Sequence, residues 1–373
     1  VMENISNWFW SDEFWLPAGI YFKDLEDKPG FHYAKPRDLF ALPVWAIIIF
    51  CLRKVFDYFC TPVLARQLGI KDSRKRPEPN TELEQIYKKN KSPSNDTIQG
   101  LAKKVDWSKL RIQTWFRRRR NMDRPSLVQK LSEASWRCFF YTVAFTFGIC
   151  TLVQSPWFWD NLYCWVDYPR QSMWTSVYYY YMLEGGFYFS LLFSIMSDVK
   201  RKDFVEQLIH HMATIFLIVF SYVANFVRIG SMVMAIHDIS DIILEFAKCF
   251  VYGKKTVWAD NLFTVFAIVF IISRLIIYPY CVIHTTWVKS MWLFKPYAGY
   301  YFFNALLMVL QLLHIFWAAI IVKMAIRMVM VGKVEKDARS DVEEESENEN
   351  ENEPSHPVSN AHFLVNKEHS KNH

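Results

Sequence analysis

Long apolar runs separated by compact charged blocks set the pattern of this chain. A helix needs roughly 20 mostly apolar residues to cross a bilayer. Seven runs answer that description: residues 39–56, 137–153, 178–197, 208–227, 231–252, 262–284 and 300–324. The fifth is interrupted by charges, and hydropathy alone would pass over it. The pattern predicts an all-α, polytopic membrane protein of about seven transmembrane helices, with one N-terminal span (39–56) and a six-helix bundle (136–330). Residues 1–38 precede the first span. A soluble insert, 62–135, separates that span from the rest, and its second half reads as short helices ending around Trp115 and Phe116. Beyond Lys336, Glu and Asn alternate with few apolar residues, so 336–373 should form a disordered acidic tail.

Charge orients the pattern. Basic clusters follow span one (Arg53, Lys54, Arg74, Lys75, Arg76, Lys88, Lys89 and Arg117–Arg120), span three (Lys200, Arg201, Lys202), span five (Lys254, Lys255) and span seven (Lys323, Arg327, Lys333, Lys336). The alternate loops hold only Arg170, Arg228, Lys289 and Lys295. All the clusters share one side if the N-terminus is luminal and the C-terminus cytosolic. The 52% hydrophobic and 17% aromatic content, with charge segregated rather than interspersed, argues against an ordinary soluble fold. Seven scattered cysteines suggest neither a disulfide framework nor a CxxC metal pair. Asn4 begins a glycosylation sequon, usable on a luminal end. Ser340 and Ser346, each with Glu three positions on, fit the preference of acidophilic kinases.

Candidate chemistry concentrates in spans four and five. On ideal helices, Gln207, His210, His211, Thr214, Ser221 and Asn225 share one arc of about 100°, and His237, Asp238, Asp241, Glu245 and Lys248 share another. His211 and the pair His237 and Asp241 come to similar depths, so imidazoles and carboxylates can meet at one level. Ionisable groups inside a bilayer cost about 2.5–3.5 kcal/mol each and usually face a cavity or one another. Two plainer readings stay open: polar glue between helices, and a metal site built from His and Asp. Glu184 on span three and Arg274 on span six are expected to form a structural pair.

The stretch Asp198-Val-Lys-Arg-Lys-Asp203-Phe, Glu206-Gln207-Leu-Ile-His210-His211, Phe220-Ser-Tyr-Val-Ala-Asn225 and Arg228-Ile-Gly230 closely resembles the long motif of ceramide synthases. So does His237-Asp238-Ile-Ser-Asp241-Ile-Ile-Leu-Glu245-Phe-Ala-Lys248. The likeness is dense over 198–248 and softer across most of the chain. The wider TLC-domain family shares the spans; the His-His and His-Asp-x-x-Asp pieces mark the acyltransferase. The resemblance implies transfer of a fatty acyl group from acyl-CoA to the amine of sphinganine or sphingosine, in the endoplasmic reticulum membrane. It implies no metal and no cofactor, acyl-CoA being a substrate. Partners would be acyl-CoA, a sphingoid base, membrane lipids, and further copies of this chain or of other ceramide synthases.

That chemistry needs a base, because a sphingoid amine is protonated at neutral pH. His210 or His211 suits the role, with Asp238 or Asp241 to orient it and His237 in the substrate site. Alternatively one histidine attacks the thioester and forms an acyl-imidazole. Lys200, Arg201 and Lys202 stand where CoA phosphates would arrive, or serve as ordinary anchors. Met291, Trp292, Leu293 and Phe294, in the short connection between spans six and seven, would cap the far end of an acyl tunnel or form an interfacial aromatic belt.

Residues 80–129 of the insert resemble part of a homeodomain, with Trp115 and Phe116 as the hallmark of its third helix. The position that grips adenine in DNA-reading homeodomains is Asn; here it is Arg118. DNA binding is therefore disfavoured, while Arg117, Arg118, Arg119 and Arg120 offer a basic patch for phosphates. Two other functions compete: a non-enzymatic TLC-type protein that senses or moves lipids, and a membrane-tethered nucleic-acid regulator. Neither accounts for two polar stripes meeting inside a membrane.

Overall fold

The structure is a computed structural model that describes residues 2–71, 74–194 and 203–331. Two short N-terminal helices, α1 (Met2–Phe9) and α2 (Asp12–Trp15), lead to the long helix α3 (Ala41–Leu68). The insert folds as α4 (Thr81–Lys89), α5 (Asn95–Val105) and α6 (Lys109–Asp123). Then come α7 (Leu127–Val153), the single turn α8 (Pro156–Trp159), α9 (Thr175–Ser194), α10 (Phe204–Val223) and α11 (Val227–Tyr252). The rod α12 (Thr256–Ile271) continues through a π-helical stretch, Ile272–Ile283, into α13 (His284–Trp287), and α14 (Ala298–Val331) closes the bundle.

Among the described residues, five helical segments are long and apolar enough to cross a membrane: Pro36–Leu68, Lys109–Val153, Phe204–Val223, Thr256–Trp292 and Ala298–Met330. The helices α9 and α11, 20 and 26 residues long, stand where the pattern predicts the third and fifth spans but are not among these five. The all-α, multi-pass reading therefore holds. Helices α3 and α7 overrun the expected edges of the insert, which leaves 69–126 between them. Gly69, in the left-handed conformation at the end of α3, stops the first. Ser126, whose Oγ accepts the Gln129 amide, starts the second ten residues before the apolar run.

At the heart of the bundle α11 lies against α7 along most of its length and against α12 and the π-helical stretch. Its buried face carries Ser231, Met232, Ala235, His237, Asp238 and Ser240. Helix α3 packs on α9 through Gly185 and Gly186. A Cβ there would stand 2.6 Å from the Leu42 side chain and 2.7 Å from Trp45. Glycine is what lets these two backbones approach. At the end of the bundle where α10 turns into α11, Trp15 stacks on Phe220 at 4.7 Å, and its indole donates to the Phe9 carbonyl. The N-terminal segment thus closes that end.

The insert has its own small core of Leu83, Tyr87, Ile98, Leu101, Ile112, Trp115 and Phe116. Each of its helices begins on a side-chain cap, from Asn80, Ser94 and Ser108 in turn.

Candidate active site

Four helices and the π-helical stretch bring the polar groups together at mid-height. His237 on α11 presents Nδ1 to the Val233 carbonyl at 2.7 Å and Nε2 to His314 Nε2 at 2.9 Å. A carbonyl only accepts, so His237 carries its proton on Nδ1 and its Nε2 is the acceptor. His314 of α14 must then donate from Nε2, and its Nδ1 is left as a buried acceptor with no hydrogen-bond partner. Tyr278, from the π-helical stretch, stands edge-on to both rings at 5.5 and 5.0 Å. The His210 ring lies 6.2 Å from His237 and 5.4 Å from Trp317, and its Nδ1 is likewise buried and unpartnered. Trp317 donates to Asp203 at 3.2 Å, which ties the start of α10 to α14. His211 points elsewhere, toward Tyr188 of α9, with ring centroids 5.8 Å apart.

The carboxylates are engaged away from His210 and His211. Asp241 accepts from Arg274 at 2.6 Å, and the same guanidinium reaches Ser240 Oγ and the His237 carbonyl at 3.1 and 3.0 Å. Asp238 accepts from the Tyr180 hydroxyl at 3.5 Å and neighbours Glu184. This corrects the expected Glu184–Arg274 pair: Arg274 belongs to Asp241, and Glu184 belongs with Asp238. Helical register is the reason. Residues 237 and 238 point about 100° apart on α11, so His237 faces α14 while Asp238 faces α9. The predicted meeting of the stripes on α10 and α11 takes place through imidazoles, His210 over His237, and not through an imidazole–carboxylate hydrogen bond.

Beside these groups runs a small cavity of about 50 Å³. Glu184, Tyr188, Thr214, His237 and Asp238 line its polar end. From there it continues between Leu217, Ile218, Val233, Met234 and Leu307 to Phe226, Ile229, Phe303 and Thr286.

The remaining predicted positions divide. Met291, Trp292 and Leu293 are exposed, at 43%, 66% and 49%. Phe294 is packed against Trp165 and Tyr168, with ring centroids at 5.8 and 5.2 Å. Those rings back Phe226, which lines the cavity. Asn4 lies in α1. Lys200, Arg201, Lys202, Ser340, Ser346 and the acidic tail lie outside the described residues. Sequence reasoning missed His314, Trp317 and Tyr278. The signal for the first was present: a lone histidine in the apolar run of the last span is as costly there as those in spans four and five.

In the insert, Arg119 is withdrawn from the expected basic patch. Its guanidinium forks onto Glu84 at 3.0 Å, reaches Asp123 at 2.5 Å and lies over the Tyr87 ring. The Arg119 hydrogen bond holds Glu84 below the usual carboxylate range. Burial raises Asp123, but hydrogen bonds from Arg119, Tyr87 and Lys91 outweigh it and the net shift is downward. Burial, then the Asp123 carboxylate, pushes the Tyr87 phenol up to about 12.

Imidazoles and carboxyls buried inside a helical membrane bundle, beside a mostly apolar cavity, define the candidate site. A family model described as TLC domain matches residues 130–323, from α7 into α14, and a homeodomain model matches 71–124. Ceramide synthase 4 of Homo sapiens is 42% identical over 346 residues, covering 92% of this chain and 88% of that protein. Ceramide synthase 5 of Homo sapiens is 42% identical over 339 residues, covering 90% and 86%. Ceramide synthase hyl-1 of Caenorhabditis elegans is 37% identical over 229 residues, covering 58% and 62%. The chain belongs to the ceramide synthase family of TLC-domain membrane proteins.

Proposed function

We propose that this ceramide synthase moves a fatty acyl group from acyl-CoA to the amine of sphinganine or sphingosine. It does so in the endoplasmic reticulum membrane, with its N-terminus luminal and C-terminus cytosolic, and it needs no cofactor besides these substrates. The observation that carries the reading is the cavity: a mostly apolar slot that has His237, Asp238 and Glu184 in its wall, the lining an alkyl chain with a polar head would need. Loops rich in Lys and Arg on one side supply the orientation.

His210 is the group that acts on the reacting atoms. His237 has both ring nitrogens committed, whereas His210 Nδ1 has no partner. Acting as base, the His210 imidazole takes a proton from the sphingoid ammonium. The freed amine attacks the thioester carbonyl, the imidazolium gives its proton to the departing CoA thiolate, and the regenerated imidazole takes the second amine proton and passes it to solvent as the amide forms. Acting as nucleophile, the same nitrogen takes the acyl group first, CoA thiol leaves, and the amine then attacks the acyl-imidazole. Tyr188, which His211 faces, lines the polar end of the slot with Asp238 and Glu184, where the amine and hydroxyls of the base would be held.

The test is direct. Purified protein given acyl-CoA and sphinganine should yield N-acyl product by mass, with free CoA in equal amount. Consumption of neither substrate would overturn the reading in favour of a lipid-sensing or lipid-moving protein.

A further inference from the structure

The slot carries a polar throat part-way along its apolar length. Tyr181 of α9, Ser221 of α10 and Gly230 of α11 all line the cavity, and the Tyr181 and Ser221 hydroxyls are hydrogen-bonded at 3.1 Å. The Tyr181 hydroxyl sits almost on the α11 backbone. A Cβ added to Gly230 would stand 1.8 Å from that oxygen, 3.0 Å from Tyr181 Cζ and 3.3 Å from Ser221 Oγ. Tyr181 is 1% exposed and packed on Tyr222, with ring centroids 5.7 Å apart. A side chain at 230 must therefore drive the tyrosyl ring off α11, and the cavity is the open side of that ring.

We propose that Gly230 and Tyr181 set the acyl chain length this enzyme accepts, by fixing the width of the slot at a defined depth. The proposal rests on the acyltransferase reading. Gly230 lies seven residues before His237 on α11, roughly 10 Å away at 1.5 Å per residue, or about eight methylenes of extended chain. Short acyl chains end before the throat and do not meet it. Longer ones must pass over the cavity face of the Tyr181 ring, on the side away from α11, to reach the pocket of Phe226, Ile229 and Phe303. The glycine holds the passage open by letting the hydroxyl lie against the backbone. The Ser221 hydrogen bond pins the ring there, so a polar pair in an apolar wall serves as the latch.

The experiment is a competition. Purified full-length enzyme receives sphinganine and an equimolar ladder of saturated acyl-CoAs from medium to very long chain, and the products are resolved by mass. Gly230→Ala should lower the use of the longer acyl-CoAs relative to the shorter by about fifteenfold, the consequence of excluding about two buried methylenes. Tyr181→Phe, which removes the atom at 1.8 Å, should restore the longer products when combined with Gly230→Ala. Tyr181→Leu, which tests the throat without crowding α11, should shift the spectrum toward longer chains. An unchanged product ranking in active Gly230→Ala or Tyr181→Leu enzyme would overturn the proposal. Wild-type enzyme separates this failure from that of the parent reading: product from no acyl-CoA at all would sink both, whereas wild-type product with an unmoved ranking in the variants would sink the throat alone.

Discussion

His237 and His314 meet nitrogen to nitrogen at 2.9 Å, one on α11 and the other on α14, so an imidazole relay crosses the bundle beside the cavity. With its Nδ1–H on the Val233 carbonyl, His237 depends on His314 for the only other hydrogen bond its ring makes. Replacing His314 by Phe strands a buried acceptor, at a cost of about 1–3 kcal/mol. Turnover should fall by about tenfold or more. His314→Gln keeps an N–H donor on α14 and should recover part of the loss. Equal activity in wild-type and His314→Phe enzyme would show that the pair is packing alone.

His210 is expected to be indispensable. His210→Ala should abolish N-acylation with the protein still inserted and folded, because its Nδ1 is buried without a hydrogen-bond partner while both ring nitrogens of His237 are committed. Enzyme incubated with acyl-CoA alone distinguishes the two routes: an acyl adduct mapped to His210 by mass supports the nucleophilic route, and rapid-quench samples without adduct support direct attack. Near-normal turnover in His210→Ala removes the assignment.

Asp241 carries a different expectation from the one its motif suggests. It is bound to Arg274, 3% exposed, so removing the carboxylate leaves a buried guanidinium uncompensated. Breaking such a pair costs about 3–5 kcal/mol. Asp241→Ala should lose thermal stability as well as activity, and Asp241→Ala with Arg274→Met should regain stability. If the double variant also regains activity, Asp241 positions α11 and does no chemistry. If it is stable and inactive, the carboxylate acts in the reaction.

Much of this was legible in the chain. The apolar runs announce the spanning helices because a bilayer leaves no other way to satisfy the backbone. His210, His211, His237, Asp238 and Asp241 announce themselves by their cost in that setting. What could not be read is which of them touch. The rotation of α11 that sends His237 to α14 and Asp238 to α9 is set by its packing against α7 and α12, which local sequence does not reveal. The π-helical stretch around Arg274, which turns that side chain onto Asp241, has no local signature beyond Pro279. The role of Arg119 was hidden for a similar reason: in a run of four arginines, only the packing of α4 on α6 tells which one turns inward.

The homeodomain-like module is expected to weaken in acid. Glu84 and Asp123 sit below their ordinary values of 4.5 and 3.8, so the stability they contribute is present above that range and is lost as pH falls through their lowered values. In hydrogen exchange corrected for intrinsic rates, amides of α4 and α6 should lose protection below about pH 4 while the transmembrane helices keep theirs. Arg119→Met should reproduce part of that loss at neutral pH, on the order of 1 kcal/mol. Unchanged protection in that variant would mean that the core of Leu83, Trp115 and Phe116 suffices without the network.

The connection after α13 divides into residues that face out and one that faces in. Met291, Trp292 and Leu293 are exposed, while Phe294 packs on Trp165 and Tyr168, which back Phe226 at the closed end of the slot. If this segment influences chain length, it acts through Phe294, whose removal lets those rings retreat and deepens the slot. Each further methylene accommodated gains about 0.8 kcal/mol, close to fourfold in relative use. Phe294→Ala should therefore move the product spectrum toward longer acyl chains. The triple replacement of Met291, Trp292 and Leu293 by Ala should leave it in place while weakening contact with the membrane interface. A spectrum that moves with the triple variant and stays with Phe294→Ala would place the determinant on the exposed side, and the closed end of the slot would have no part in choosing the acyl chain.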